Sequence, residues 1–260
     1  MIQYVPKNNC MKTKAFIAVM LVFSITACKK ETTFTNNPNA DELHNKAVGF
    51  SANQLLSSGT YKSLKVEVQY ITGYAPDAAA LTHLQNVLNT YLNKPSGITI
   101  VTKEISTPMS TVLSIDQVRS IEEQNRTVFT TGDQLGVYFL YTNGNYTDNG
   151  VLGVAYRNTS MVLFGKKIHD NSGGLGQASR TKLEATVLEH EFGHILGLVD
   201  LGSTMQTSHK DATHGNHCNN SNCLMYYASE TTDILGFLIT GNIPPFDANC
   251  LADLHANGGK

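Results

Sequence analysis

Two histidines four residues apart constrain this chain more than any other feature. His190 and His194 fall in the pattern H-E-x-x-H, and residues at that spacing share one face of a helix, with Cβ atoms about 5–6 Å apart. Two imidazoles on one face can bind a single zinc ion. Glu191, which follows the first histidine, is placed to accept a proton from a water molecule at that ion. The stretch therefore predicts a helix that carries a hydrolytic metal centre.

The residues after the second histidine predict a turn and a third ligand. Gly197 can adopt the left-handed backbone conformation that ends a helix and reverses the chain. Asp200 follows this turn, and its carboxylate is the first candidate for the third zinc ligand.

An insert of residues 201–224 contains further histidines. His209 and His217 are alternative third ligands, because metal sites often recruit histidines from loops. His214 is interpreted as a solvated loop residue. The residue pattern leaves the third ligand open between Asp200, His209 and His217.

A second stretch, Cys223-Leu224-Met225-Tyr226-Tyr227, follows the insert. Together with H-E-x-x-H-x-x-G-x-x-D, it resembles the metzincin clan of zinc endopeptidases, with features of the matrixin-, snapalysin- and archaemetzincin-like branches. The resemblance implies that Met225 forms the Met-turn, which packs beneath the zinc ligands without binding the metal. It also implies that Tyr227, or Tyr226 if the register differs by one, hydrogen-bonds the reacting peptide. Most of the clan has histidine where this chain has Asp200.

Apolar periodicity predicts an α+β domain. The predicted strands are 64–71, 98–101, 135–141, 151–156 and 161–164, and the predicted helices are 77–92, 114–125, 179–196 and 246–256. The metzincin resemblance implies that these elements build a zincin-like domain with a twisted, mixed five-stranded sheet, an active-site helix, a Met-turn and a C-terminal helix. It also implies that a strand near 151–156 lies at the sheet edge, where its unpaired backbone groups can bind an extended substrate.

The N-terminal region predicts export. Lys12 and Lys14 precede an apolar run over residues 15–27, which is too short to span a bilayer and is typical of a signal peptide that starts at Met11 rather than Met1. The run ends in Ile25-Thr26-Ala27-Cys28, which resembles a bacterial lipobox and implies a lipid on Cys28. Lysine at position 29 favours sorting to an outer membrane. The alternative is an ordinary cleavage site.

The expected organisation is a signal peptide over residues 1–28, a polar tether over 29–61 and one catalytic domain over 62–260, whose size suits the 41% hydrophobic content. The cysteines outside the leader are Cys218, Cys223 and Cys250. In an exported protein, Cys218 and Cys223 are the expected disulfide, with Cys250 left over or competing. Zinc bound by cysteines is the weaker interpretation, because the C-x4-C pair lacks a second pair.

The formal net charge of −2 gives no basic surface for nucleic acid. The partners that we expect are a protein or peptide substrate and, through Cys28, a membrane; the chain is expected to act as a monomer. The sequence thus predicts a membrane-anchored zinc endopeptidase with Glu191 as general base. The alternative is a non-proteolytic surface lipoprotein that uses the same fold to bind a partner or zinc. Glu191 argues against it, because a site that only binds needs no general base.

Overall fold

The computed structural model describes residues 43–106 and 111–260. The predicted signal peptide, the lipobox and the start of the expected tether lie outside the described residues.

Seven strands occur in the described part of the chain. In chain order they are β1 (Ser63–Ile71), β2 (Ile98–Ile105), β3 (Val112–Leu113), β4 (Gln134–Tyr141), β5 (Asn145–Tyr146), β6 (Gly153–Arg157) and β7 (Ser160–Leu163). Five of them form one sheet in the order β2-β1-β4-β7-β6, and β3 pairs with β5 separately. β2, β1, β4 and β7 run parallel, whereas β6 at the edge is antiparallel to β7. This arrangement confirms the predicted mixed five-stranded sheet and places the 151–156 strand at its edge.

Seven α-helices occur in the described residues. They are α1 (Ala52–Leu56), α2 (Ala78–Tyr91), α3 (Ile115–Asn125), α4 (Gly165–Asp170), α5 (Arg180–Ile195), α6 (Leu235–Thr240) and α7 (Ala248–Ala256), with short 3-10 helices at Tyr227–Glu230 and Thr232–Ile234. Four of the seven helices, α2, α3, α5 and α7, lie close to the predicted positions, and α1, α4 and α6 were not predicted. Ser114 and Gln117 form a capping box at the start of α3, which satisfies two backbone N–H groups that a helix end leaves unpaired.

The central strand β4 separates two apolar layers. Because side chains alternate along a strand, Val137 and Phe139 pack in the core that also contains α5, whereas Tyr138 and Leu140 pack in a second core with α3. Helix α5 is buried from residue 183 to residue 195. The sheet and the loops around α5 therefore hold the helix that carries the H-E-x-x-H pattern from every side.

The segment before β1 belongs to the folded domain. Leu55 and Leu56 of α1 are fully buried in the main core. The Lys94 ammonium donates hydrogen bonds to the carbonyl oxygens of Gln54 at 2.7 Å and Tyr61 at 2.8 Å. Residues 43–61, expected as part of the tether, are therefore packed on the domain. The segment is polar overall, and its two buried leucines form no periodic pattern that would predict a packed helix.

Among the helices of the described residues, none combines the length and the apolar character needed to cross a membrane.

Candidate active site

Helix α5 presents three of the predicted site residues together. Ser179 caps its N-terminus by accepting a hydrogen bond from the Lys182 N–H, and the helix then runs without interruption through the motif. His190 and Glu191 are fully buried and His194 nearly so. The Nε2 atoms of His190 and His194 are 3.0 Å apart, so the two imidazoles converge on one point.

His217 and Glu230 complete the cluster around that point. The ligand atoms of His190, His194, His217 and Glu230 all lie within 4.8 Å of one another. Glu230 places one carboxylate oxygen 3.4 Å from His217 Nε2 and the other 3.6 Å from His190 Nε2 and 3.8 Å from His194 Nε2. The His217 ring stacks on His190 with centroids 5.2 Å apart. The structure thus brings three imidazoles and one carboxylate together.

The outer hydrogen bonds fix the tautomer of two of these rings. His190 Nδ1 donates to the Leu224 carbonyl at 2.7 Å, and His217 Nδ1 donates to the His214 carbonyl at 2.6 Å. In each neutral ring the proton is then on Nδ1, and the lone pair of Nε2 points into the cluster, as in histidines that bind zinc.

A divalent cation fits this donor set. His217 Nε2 is buried and has no hydrogen-bond partner among the described residues. A buried polar atom without a partner costs about 1–3 kcal/mol, and a metal ion between the imidazoles would satisfy it. Three neutral imidazoles with one anionic carboxylate are donors that zinc accepts.

The structure places Asp200 outside this cluster. Val199 and Asp200 both have left-handed backbone angles, with φ of 52° and 69°, and Gly197, two residues before Val199, has φ of 76°. This tight turn directs the Asp200 side chain to the surface, where it is 63% exposed and pairs with Lys210 at 3.3 Å. Of the three candidates for the third ligand, His217 is therefore the one that the fold brings to His190 and His194.

The other two histidines of the insert lie elsewhere. His209 is buried in a second cluster with cysteine side chains. His214 is at the surface, where it bonds Asp211 at 2.9 Å and stacks on Tyr227 with ring centroids 3.7 Å apart. The interpretation of His214 as a loop residue agrees with this position.

Glu191 lies between the cluster and the edge strand. One carboxylate oxygen accepts a hydrogen bond from the Ala155 N–H of β6 at 2.6 Å, and the other is buried without a partner among the described residues. A Cβ at Gly153 would come within 2.6 Å of Val187 and 3.0 Å of Glu191, so only glycine lets β6 approach α5 this closely. Glu191 therefore joins the histidine helix to the strand expected to bind substrate.

The pKa values of Glu191 and Glu230, the two carboxyl groups at the site, are shifted in opposite directions. Burial, followed by the charge of Glu230, raises the pKa of Glu191 well above its usual value. Burial also acts to raise the pKa of Glu230, but the contacts of its carboxylate with the imidazoles of His190 and His217 outweigh burial and hold that pKa well below its usual value. The two carboxyl groups beside the histidines therefore differ in their preference for a proton.

A match to a known family supports this interpretation of the geometry. The family model Reprolysin_5, described as metallo-peptidase family M12, matches residues 30–237. The chain belongs to metallopeptidase family M12. The match confirms the resemblance to zinc metallopeptidases, and the family implies a divalent metal, usually zinc.

Two solved structures resemble this M12 chain. Archaemetzincin from Methanopyrus kandleri matches with a TM-score of 0.49 and 18% identity, over 76% of this chain and 96% of that one. Metalloproteinase-II from Bacteroides fragilis matches with a TM-score of 0.45 and 15% identity, over 76% of this chain and 54% of that one. No curated protein sequence matches the chain. The assignment to metallopeptidase family M12 rests on the family match alone.

Met225 of the M12 chain lies against the motif helix. It is fully buried, and a Cβ at Gly193 would come within 2.3 Å of its sulfur atom. Because Gly193 lies between the two histidines in sequence, the thioether packs on the same turn of α5. The Met-turn is thus present as predicted.

The predicted disulfide is absent from the described residues. Cys218, Cys223 and Cys250 are free, buried thiols. The sulfur atoms of Cys223 and Cys250 are 3.6 Å apart, whereas a disulfide bond is about 2.05 Å long. Instead, His209 Nδ1 lies 3.4 Å from the Cys218 sulfur and 3.9 Å from the Cys250 sulfur. The spacing of Cys218 and Cys223 in sequence could not reveal this shared centre.

Glu230 is the site residue that the sequence interpretation missed. It has no motif of its own, because it lies at the end of a short 3-10 helix after the Met-turn. Its backbone is held by the edge of the sheet: the Leu152 N–H donates to the Glu230 carbonyl at 2.7 Å. Its position five residues after Met225 is the only sequence cue, and it is a weak one.

Proposed function

We propose that this M12 metallopeptidase is an exported, membrane-anchored zinc endopeptidase whose zinc is bound by His190, His194 and His217. The observation that carries the proposal is the convergence of three imidazoles beside the buried carboxylate of Glu191, which also contacts the edge strand. This ligand set replaces Asp200 with His217, because the turn at residues 197–200 sends Asp200 to the surface.

Glu191 is the general base in this proposal. Zinc at the site would lower the pKa of a bound water to about 7 and polarise the peptide carbonyl. Glu191 takes the proton from the attacking water and delivers it to the leaving amine.

Tyr227 is proposed to stabilise the reacting peptide. It lies at the start of the same 3-10 helix that ends at Glu230, and its ring stacks on the His214 ring at the surface. A hydroxyl group that swings from this position toward the histidines would donate a hydrogen bond to the oxygen on which charge develops.

Glu230 must leave its observed position during catalysis. A zinc site with four protein ligands is closed, whereas a catalytic site keeps one position for water or substrate. Glu230 faces the same Nε2 atoms as a metal would, at 3.4–3.8 Å. We therefore propose that its carboxylate covers the fourth position and is displaced when substrate binds.

The experiment that tests the proposal is metal removal from the purified full chain. Treatment with a zinc chelator should abolish cleavage of a mixed peptide library, and added zinc should restore it. Mass spectrometry of the products should show internal cuts, as expected of an endopeptidase. A zinc-loaded protein that cleaves no peptide would contradict the proposal and favour the surface lipoprotein that only binds.

The membrane anchor is a separate part of the proposal. Its support is the apolar run over residues 15–27 followed by Cys28 in the lipobox-like stretch. Cells that express the full chain should incorporate radiolabelled palmitate into it, and Cys28→Ser should abolish the label. Cys250→Ser is the matched control, since a buried cysteine should not carry the lipid. Label that survives Cys28→Ser would exclude lipidation at this residue.

A further inference from the structure

We propose a second zinc site, purely structural, with Cys218, Cys223, Cys250 and His209 as ligands. It lies outside the three-histidine cluster and shares no side chain with it. It does not rest on the proposed peptidase activity.

Three distances among these side chains match a tetrahedral zinc site. Zinc bonds of about 2.3 Å to sulfur and about 2.0–2.1 Å to nitrogen place two sulfur ligands about 3.8 Å apart and a sulfur and a nitrogen about 3.5 Å apart. The Cys223 and Cys250 sulfurs are 3.6 Å apart. His209 Nδ1 is 3.4 Å from the Cys218 sulfur and 3.9 Å from the Cys250 sulfur. These separations are too long for disulfides and are those that a shared ion requires.

The surroundings orient the ligands as zinc sites do. His209 Nε2 lies 2.8 Å from a carboxylate oxygen of Asp253, and both residues are buried. A carboxylate on the far nitrogen of an imidazole fixes the ring and directs the other nitrogen to the metal. The Cys223 sulfur accepts hydrogen bonds from the backbone N–H groups of Met225 at 3.4 Å and Asp247 at 3.3 Å. Such bonds stabilise a thiolate, which is the form that binds zinc.

Asp247 is the competing ligand, because the ligand atoms of His209, Cys218, Asp247 and Cys250 all lie within 4.8 Å of one another. One Asp247 oxygen lies 3.3 Å from the Cys218 sulfur. Both of its oxygens already have partners, since one accepts from the Cys250 N–H at 2.9 Å and caps α7, and the other accepts from the Asn220 amide at 3.0 Å. The Cys223 sulfur lies 3.6 Å from the Cys250 sulfur and accepts only two backbone hydrogen bonds, so we assign the fourth position to Cys223 and a capping role to Asp247.

This centre would link two parts of the chain. His209, Cys218 and Cys223 come from the insert, and Cys250 lies on α7. His217, the proposed third ligand of the active site, directly precedes Cys218. On binding the ion, the thiols release their protons to solvent. The structural zinc would then hold the insert so that His217 reaches the active-site helix.

Cobalt substitution of the full chain tests the second site. With cobalt(II) as the only metal, the wild-type protein should bind two equivalents and show the strong near-ultraviolet band of sulfur-to-cobalt charge transfer. The three-histidine site has no sulfur ligand, so His217→Ala should lose one equivalent and keep this band. Absence of the band from wild-type protein would overturn the proposal without any variant, and so would intact-mass detection of a disulfide between two of the three cysteines.

Single substitutions test which of these side chains bind the second zinc ion. Cys223→Ser and Cys250→Ser should each lose one equivalent of zinc, and Asp247→Asn should keep both. If Asp247→Asn lost zinc while a folded Cys223→Ser variant kept both equivalents, the assignment of Cys223 as the fourth ligand would be overturned. If the cysteine variants do not fold, the wild-type cobalt spectrum still decides the question. If the protein shows the sulfur-to-cobalt band but cleaves no peptide, the second zinc site stands and only the proposed peptidase function is rejected.

Discussion

Replacing Glu191 by glutamine should lower the rate of peptide cleavage by about 10²–10⁴-fold, the usual contribution of a general acid and base. Glutamine has nearly the same size, and its amide oxygen can still accept the hydrogen bond from the Ala155 N–H. Zinc content should stay the same, because His190, His194 and His217 remain. The measurement is kcat for a cleaved library peptide together with zinc per chain.

Glu189→Gln is the matched control for Glu191→Gln. Glu189 is also a buried glutamate on α5, two residues before Glu191, but it pairs with His83 at 2.5 Å instead of facing the histidine cluster. Its replacement should cost stability and leave kcat within a small factor of wild type. Equal losses of kcat in both variants would mean that Glu191 acts through the packing of the helix, and an unchanged rate in Glu191→Gln would reject the mechanism.

Replacing His217 by alanine should weaken zinc binding at the active site by more than about 100-fold, because loss of an outer-shell partner alone costs about 10–100-fold. Cleavage should be lost with the metal. Asp200→Ala should bind zinc like the wild type, since it removes only an exposed ion pair worth at most about 1 kcal/mol. Zinc titration against a competing chelator measures both effects. Loss of zinc from Asp200→Ala, with full binding by His217→Ala, would restore Asp200 as the third ligand.

Glu230→Gln belongs in the same titration series. If the carboxylate covers the fourth position, its removal should weaken zinc binding less than His217→Ala does and should raise kcat, because substrate no longer has to displace it. A loss of zinc equal to that of His217→Ala would instead make Glu230 an obligatory ligand of a closed site. In that case the site resembles a structural centre more than a catalytic one.

The chemistry of the motif was predictable because it depends on local spacing. Residues four apart on a helix meet whatever the rest of the fold does, so His190 and His194 could be paired from the sequence. The positions of these strands and helices followed for a similar reason, since the apolar run over 135–141 and the cap at Ser114 are local signals. The predicted tether failed at residues 43–61 because two leucines in a polar segment gave no periodic pattern.

The sequence by itself determined the helix that pairs His190 with His194 and places Glu191 beside them, because these positions follow from contacts between near neighbours in the chain. The mixed sheet was implied by the family resemblance, since its strands pair residues far apart in sequence. Only the tertiary structure decided which third residue reaches the two histidines, that Glu230 faces them, and that three cysteines share one centre instead of forming a disulfide. These contacts join residues many positions apart. They depend on the path of the insert and on two left-handed residues, Val199 and Asp200, whose conformation no local pattern predicted.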